Sequence, residues 1–299
     1  MTGLFSLIKQ KKVIVSDGAW GTMLQDNGLP VGECPEAWNV SHPDVVKSIP
    51  EAYIEAGAEV VLTNSFGGSP LKLAQYGLKK KAAEFNFAAA QISKQAAQGK
   101  ALVLASVGPT GQFLAPLGTI SETEMIENFK IQIKNLADGG ADAILIETMS
   151  DLQEAICAVK AAREVSDLPV IVTMTFEKGQ QGYRTMMGVS IDQAVEALSE
   201  QNVDLLGTNC GNGIQQIVEI IRKMRQLTDK YLVAHPNAGL PEIKDGKTVF
   251  NQTTEEMAKH VPDLLSAGAN IIGGCCGTNP EHIRLIARQI RSYRNLDLT

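Results

Sequence analysis

The sequence is poor in the features that would put a chain outside the cell, in a bilayer or on a nucleic acid. Five cysteines in 299 residues are too sparse, and odd in number, for a disulfide framework. No apolar run reaches the roughly 18–20 residues that cross a membrane. Basic residues are outnumbered, with 27 Lys and Arg against 33 Asp and Glu and a net charge of −6. Neither nucleic acid nor an anionic membrane has an electrostatic reason to approach such a surface, so neither is expected as a partner. The lysines near the start follow the apolar residues instead of preceding them, the reverse of a secretory signal. A cytoplasmic protein is expected. No G-x-G-x-x-G follows a strand-like run, which weighs against a dinucleotide-binding fold.

What is present is enough apolar residue for a large core: 44% hydrophobic with 20% charged. Short β-rich runs recur at residues 13–16, 59–63, 101–106, 143–147, 169–175, 204–208, 231–235 and 270–274, with helical patterns between them. The runs are continuously apolar rather than alternating, as strands covered on both faces are. Before four of them a helix closes on Gly57, Gly140, Asn202 or Gly268, residues suited to a left-handed C-cap. Eight such units predict one (β/α)8 barrel, with residues 1–299 as a single domain.

Chemistry in this architecture sits at the C-terminal ends of the strands. The sixth run ends at Asn209-Cys210, and the eighth runs into Gly273-Gly274-Cys275-Cys276-Gly277-Thr278. Adjacent strand residues point to opposite faces, so Cys275 and Cys276 can share one metal only where the strand has ended. The flanking glycines permit that. Cys157, in a helical stretch, reads as a small buried hydrophobe, and Cys34 has no neighbouring partner. Cys210, Cys275 and Cys276 are therefore expected to bind one Zn²⁺ with a fourth position open. Three thiolates leave such a site net negative, a poor activator of water but a good host for a substrate thiol, which loses its proton there and stays nucleophilic. That chemistry is S-alkylation. Glu147, at the end of a very apolar strand, and Asp17 are candidate acceptors for an ammonium group. For Asp17 a helix N-cap is an equal alternative. Backbone N–H groups around Ser106-Val107-Gly108 are candidates for a carboxylate, with a plain turn as the blander reading. His235 reads as a strand-end hydrogen-bonding residue, and Asn237 as a neutral oxygen donor near the metal rim or a turn residue. A phosphate-binding barrel using Gly273-Gly274 and a non-catalytic thiol or zinc carrier are the rival classes.

Together these residues resemble the homocysteine S-methyltransferase family. The likeness runs from Asp17-Gly18-Ala19-Trp20 through Thr63-Asn64-Ser65-Phe66, Gly108-Pro109-Thr110, Glu147-Thr148 and Asn209-Cys210 to the double-cysteine motif. Within the family, His235-Pro236-Asn237-Ala238-Gly239 and the stretch from Gly274 to His282 are most similar to the N-terminal homocysteine-binding module of cobalamin-dependent methionine synthase. The resemblance implies a (β/α)8 barrel with zinc on Cys210, Cys275 and Cys276, and homocysteine sulfur as fourth ligand. It implies that Glu147 and Asp17 hold the amino group, that the Ser106-Val107 backbone lies near the carboxylate, and that Asn237 approaches the zinc when homocysteine is absent. It further implies methylcobalamin, on a corrinoid protein or domain, as methyl donor. S-Methylmethionine or another small donor is the alternative.

Overall fold

The computed structural model describes residues 3–244 and 247–296. Eight strands form one parallel sheet: β1 (Ile14–Val15), β2 (Val60–Leu62), β3 (Leu102–Val107), β4 (Ala143–Met149), β5 (Val170–Met174), β6 (Leu205–Gly213), β7 (Tyr231–Asn237) and β8 (Ile271–Ile272). They are hydrogen-bonded in the order β1-β8-β7-β6-β5-β4-β3-β2, which wraps the sheet into a nearly closed barrel. Helices separate consecutive strands and cover the outside.

The seam between β1 and β2 is joined by a few bonds instead of a ladder. Glu59 N donates to Val15 O (2.8 Å), Val15 N to Glu59 Oε2 (3.0 Å), and Leu62 N to Asp17 Oδ2 (2.8 Å). At the lower end Lys11 and Arg294 both pair with Glu59, and their hydrogen bonds hold its carboxyl below the usual range against the opposing effect of burial. Side-chain alternation then sorts the core into two layers. Ile14, Leu104, Leu145, Ile171, Leu205, Val233 and Ile271 fill the barrel interior. Val15, Ile144, Ile146, Val172, Leu206, Ala234 and Ile272 face the helices. The helix Gly3–Lys11 closes the bottom by placing Leu4 and Ile8 in the interior cluster.

The same alternation, continued upward, brings Ser106, Glu147, Thr173, Asn209 and His235 onto the inward face, where all are buried. The apolar interior therefore ends in a polar floor. The anticipated left-handed positions occur at Gly57, Gly140, Asn202 and Gly268, each with positive φ. Helices starting from the rim loops carry capping boxes at Ser121, Ser190 and Thr253.

Three differences from the sequence reading stand out. β1 and β8 are only two residues long. β6 continues to Gly213, with an irregularity against β7 between Asn209 and Gly213. Two rim hairpins, Glu177–Gly179 with Gly182–Arg184 and Pro241–Lys244 with Lys247–Phe250, had not been anticipated. Among the described residues, no helix is long and apolar enough to cross a membrane.

Candidate active site

The irregularity in β6 is what presents Cys210. Its φ is +59°, and that of Gly211 is +68°. Residues with a Cβ seldom occupy this left-handed region, so Cys210, unlike Gly211, carries backbone strain that the surrounding bonds must hold. On the far side of β7, β8 has stopped at Ile272, and the chain turns: Gly274 N donates to Asp17 O (2.8 Å), Cys275 N to Pro236 O (2.8 Å), and Thr278 Oγ1 to Cys275 O (2.7 Å). Ala238 N donates to Cys276 O (3.0 Å). This turn frees both adjacent side chains from strand alternation. The N–H groups of Gly273 and Gly274 are bonded to Ala234 O and Asp17 O, which leaves no phosphate cradle there.

The Sγ atoms of Cys210, Cys275 and Cys276 all lie within 4.8 Å of one another, with Cys210 and Cys276 at 3.9 Å. Zn–S bonds of about 2.3 Å at tetrahedral angles separate sulfurs by about 3.8 Å, close to the Cys210–Cys276 distance, so the triad could close on one zinc ion with shifts of no more than about 1 Å. No fourth His, Cys, Asp or Glu joins the group among the described residues. The thiols titrate as a set. Hydrogen bonds from Cys275 and Cys276 pull Cys210 down to about 3, while donation to Cys210 pushes Cys276 up to about 12 and Cys275 well above the usual thiol range. A cation entering the triad must displace those remaining protons. Asn237 hydrogen-bonds Cys210, and its Oδ1 has no partner.

Beneath and beside the thiols lies a cavity of about 270 Å³. Its lining includes Gly18–Thr22, Glu36, Thr63–Phe66, Ser106, Glu147, His235 and the three cysteines. Glu147 accepts from Ser106 Oγ (2.5 Å) and Asn209 Nδ2 (3.2 Å). Asn209 is fixed in turn by Thr148 N and Thr173 Oγ1, at 2.9 and 2.8 Å from its Oδ1. Burial lifts the Glu147 carboxyl to about 7 against the pull of the Ser106 bond. Asp17 is also lifted to about 7 by burial. Its Oδ2 accepts from Leu62 N and from Trp20 Nε1 (3.0 Å), which leaves Oδ1 with a single 3.5 Å contact from Ser16 Oγ. Asp17 is thus part of the barrel seam, beside Gly18 and Trp20, which line the cavity. Ser106 N donates to Thr63 Oγ1 (3.0 Å), and the Val107 side chain points into the helical layer.

Several residues important to this geometry escaped the sequence reading. Asn209 links Glu147 to the thiol side, and its Nδ2 reaches Cys275 Sγ at 3.9 Å. The available signal was the inward alternation of Leu205, Gly207 and Asn209. Glu36 lines the outer wall and accepts from Gly67 N (2.6 Å) and Cys34 Sγ (3.3 Å). Nothing in the local pattern around Cys34-Pro35-Glu36 gave that away. His235 departs from its expected role: it is buried and lines the cavity, yet its Nε2 has no partner. Desolvation lowers its imidazole to about 4, so the ring is neutral at physiological pH.

Comparison with known proteins agrees with this geometry. A family model described as Homocysteine S-methyltransferase matches residues 14–290. The methionine synthase of Mycobacterium leprae is 32% identical over 307 aligned residues, covering 97% of this chain and 25% of that protein. The chain therefore spans about a quarter of the length of that relative. The metallated form of the homocysteine methyltransferase MmuM from Escherichia coli superposes with a TM-score of 0.81 at 22% identity, over 96% of this chain and 99% of that one. Its apo form gives 0.74 at 22% identity, over 95% and 98%. At such identity these structures speak for the fold, and the first two matches carry the assignment: the chain belongs to the homocysteine S-methyltransferase family.

Proposed function

We propose that the chain is a zinc-dependent homocysteine S-methyltransferase that converts homocysteine to methionine. The observation that carries this reading is the convergence of three thiols, with one position open, above a buried floor bearing Glu147. Zinc bound there would supply the positive charge that lets a substrate thiol lose its proton and remain nucleophilic. Cys210, Cys275 and Cys276 hold the metal, and Asn237 braces Cys210. Glu147, presented by Ser106 and Asn209, receives the substrate ammonium, with Asp17 Oδ1 as the second acceptor. The backbone at Ser106 and Val107 borders the carboxylate end. Orienting the sulfur toward an incoming methyl group supplies much of the rate enhancement.

The donor we propose is methylcobalamin on a corrinoid protein or domain. Val31, Phe113, Leu117, Met186 and Leu240 stand exposed on loops that follow the strands at the cavity end of the barrel. An apolar rim of this kind suits a macromolecular donor. The test is metal analysis with and without homocysteine, followed by methyl transfer from methylcobalamin. Stoichiometric zinc and methionine formation are expected. Zinc retained at full occupancy after all three cysteines are changed to alanine would overturn the metal site. Transfer from S-methylmethionine but not from methylcobalamin would replace the donor.

A further inference from the structure

Two strands of the barrel lose their regular pairing around one side chain. β4 shifts register between Ile146 and Met149, and β6 between Asn209 and Gly213. Thr148 and Cys210, inside those irregularities, have φ of +60° and +59°. The other non-glycine residues with positive φ among the described residues, Lys12, Gln98 and Asn202, lie just past helix ends. Strained backbone persists only where its surroundings hold it. Asn209 touches both strained residues. It is fully buried, directly precedes Cys210, and reaches across β5 to accept from Thr148 N (2.9 Å) and Thr173 Oγ1 (2.8 Å) on its Oδ1.

A backbone N–H can only donate, so the Thr148 bond fixes which way the amide faces. Nδ2 is left with two hydrogens for three acceptors: Thr148 Oγ1 at 2.7 Å, Glu147 Oε2 at 3.2 Å and Cys275 Sγ at 3.9 Å. The shortest contact engages one hydrogen. The other is left to the ammonium acceptor and the thiol, and it cannot fully satisfy both.

We propose that Asn209 is a positioning residue that couples the two ends of the substrate site, so that an ammonium group on Glu147 is felt at the thiols. This rests on the homocysteine reading above and deepens it. An ammonium group gives Oε2 a charged donor, stronger than a neutral amide, and the shared hydrogen is released toward Cys275. An N–H···S bond draws charge from that sulfur, and a metal held there binds the substrate sulfur more tightly. By reciprocity, a metal-bound Cys275 that attracts the hydrogen leaves Oε2 freer to take an ammonium group.

The test uses the cobalt(II)-loaded protein, whose sulfur-to-cobalt absorption reports the charge on the cysteine sulfurs. It is titrated with 2-aminobutyrate, which is homocysteine without its sulfur. In the wild type the band should move to shorter wavelength as the amino acid saturates. In Asn209→Leu, which fills similar space without an amide, it should stay in place. A wild-type band that does not move overturns the coupling. So does a full shift in Asn209→Leu, which would trace the change to direct contact between the ligand and the metal shell. If that variant fails to fold, to load cobalt or to bind the amino acid, Thr173→Val decides. It removes one of the two bonds that aim the amide, so a smaller shift is expected and an undiminished one overturns the coupling. Homocysteine titrated into the wild type separates the two readings. If it binds while 2-aminobutyrate leaves the band unmoved, only the coupling falls; if neither binds, the homocysteine reading falls as well.

Discussion

Asp17 and Glu147 share a physical difficulty: each is a carboxyl group taken almost completely out of water with no cationic partner beside it. Both titrate near 7 for that reason, well above the ordinary carboxylate range. Between about pH 4 and 7 the folded chain therefore holds protons that the unfolded chain has released. Stability from these two groups is largest at low pH and falls as pH rises through that window. Glu147→Gln removes one such proton site. Denaturant titrations should show the variant gaining on the wild type as pH is raised from 5 to 8, by roughly 1–3 kcal/mol in total. A pH-independent gap between the two would mean that Glu147 is not the raised group. The same variant should bind homocysteine at least about tenfold more weakly, since the ammonium loses its charged acceptor. Unchanged affinity in that titration would remove Glu147 from the anchoring role. An arriving ammonium also lowers both carboxyl groups, so homocysteine binding below pH 7 should release protons into the buffer.

At the scale of elements, the site depends on where strands stop. Strand positions were legible because buried parallel strands are uninterrupted apolar runs, and the inward series Ala143, Leu145, Glu147 announced a charge at the rim. The cysteines were legible because two strand ends carried them. Other parts were not. The hairpin residues Glu177–Gly179 are exposed and polar, with no apolar face to betray a strand. The bulge that turns Cys210 inward is set by pairing between Gly213 and Asn237, a contact across 24 residues that no local pattern encodes. Asn209 read as a neighbour of a cysteine, although it is the hub joining Glu147, Thr148, Thr173 and Cys275. Gly277 shows how tight the turn beyond β8 is. Its φ is +79°, and an added Cβ would lie 2.3 Å from the Phe250 ring. Gly277→Ala should destabilise the fold by about 1–3 kcal/mol through backbone strain alone, more if Phe250 cannot move. Zinc affinity should fall with it, because Cys276 precedes the strained residue. A variant with wild-type melting behaviour and full zinc content would show that the turn tolerates a side chain and that the glycine is not required.

For the whole molecule, the barrel supplies one closed end and one open end, and among the described residues the four most exposed large apolar side chains, Val31, Met186, Leu117 and Leu240, stand on loops at the open end. Val31, Met186 and Leu117 are 93, 79 and 67% exposed, on loops following β1, β5 and β3. Scattered singly such residues need no explanation, but these encircle a mouth that leads to the thiols. If the methyl group arrives on a protein, those side chains contribute to docking and not to chemistry. Leu117→Asp combined with Met186→Asp should then lower kcat/KM with a methylated corrinoid protein by about tenfold, a typical effect of charging apolar contact residues. Zinc content, homocysteine affinity and transfer from free methylcobalamin should stay at wild-type values, since neither residue lines the cavity. The two donors separate the explanations. Equal losses with both would place the defect in the barrel itself, and equal retention with both would mean that the donor does not dock on this rim.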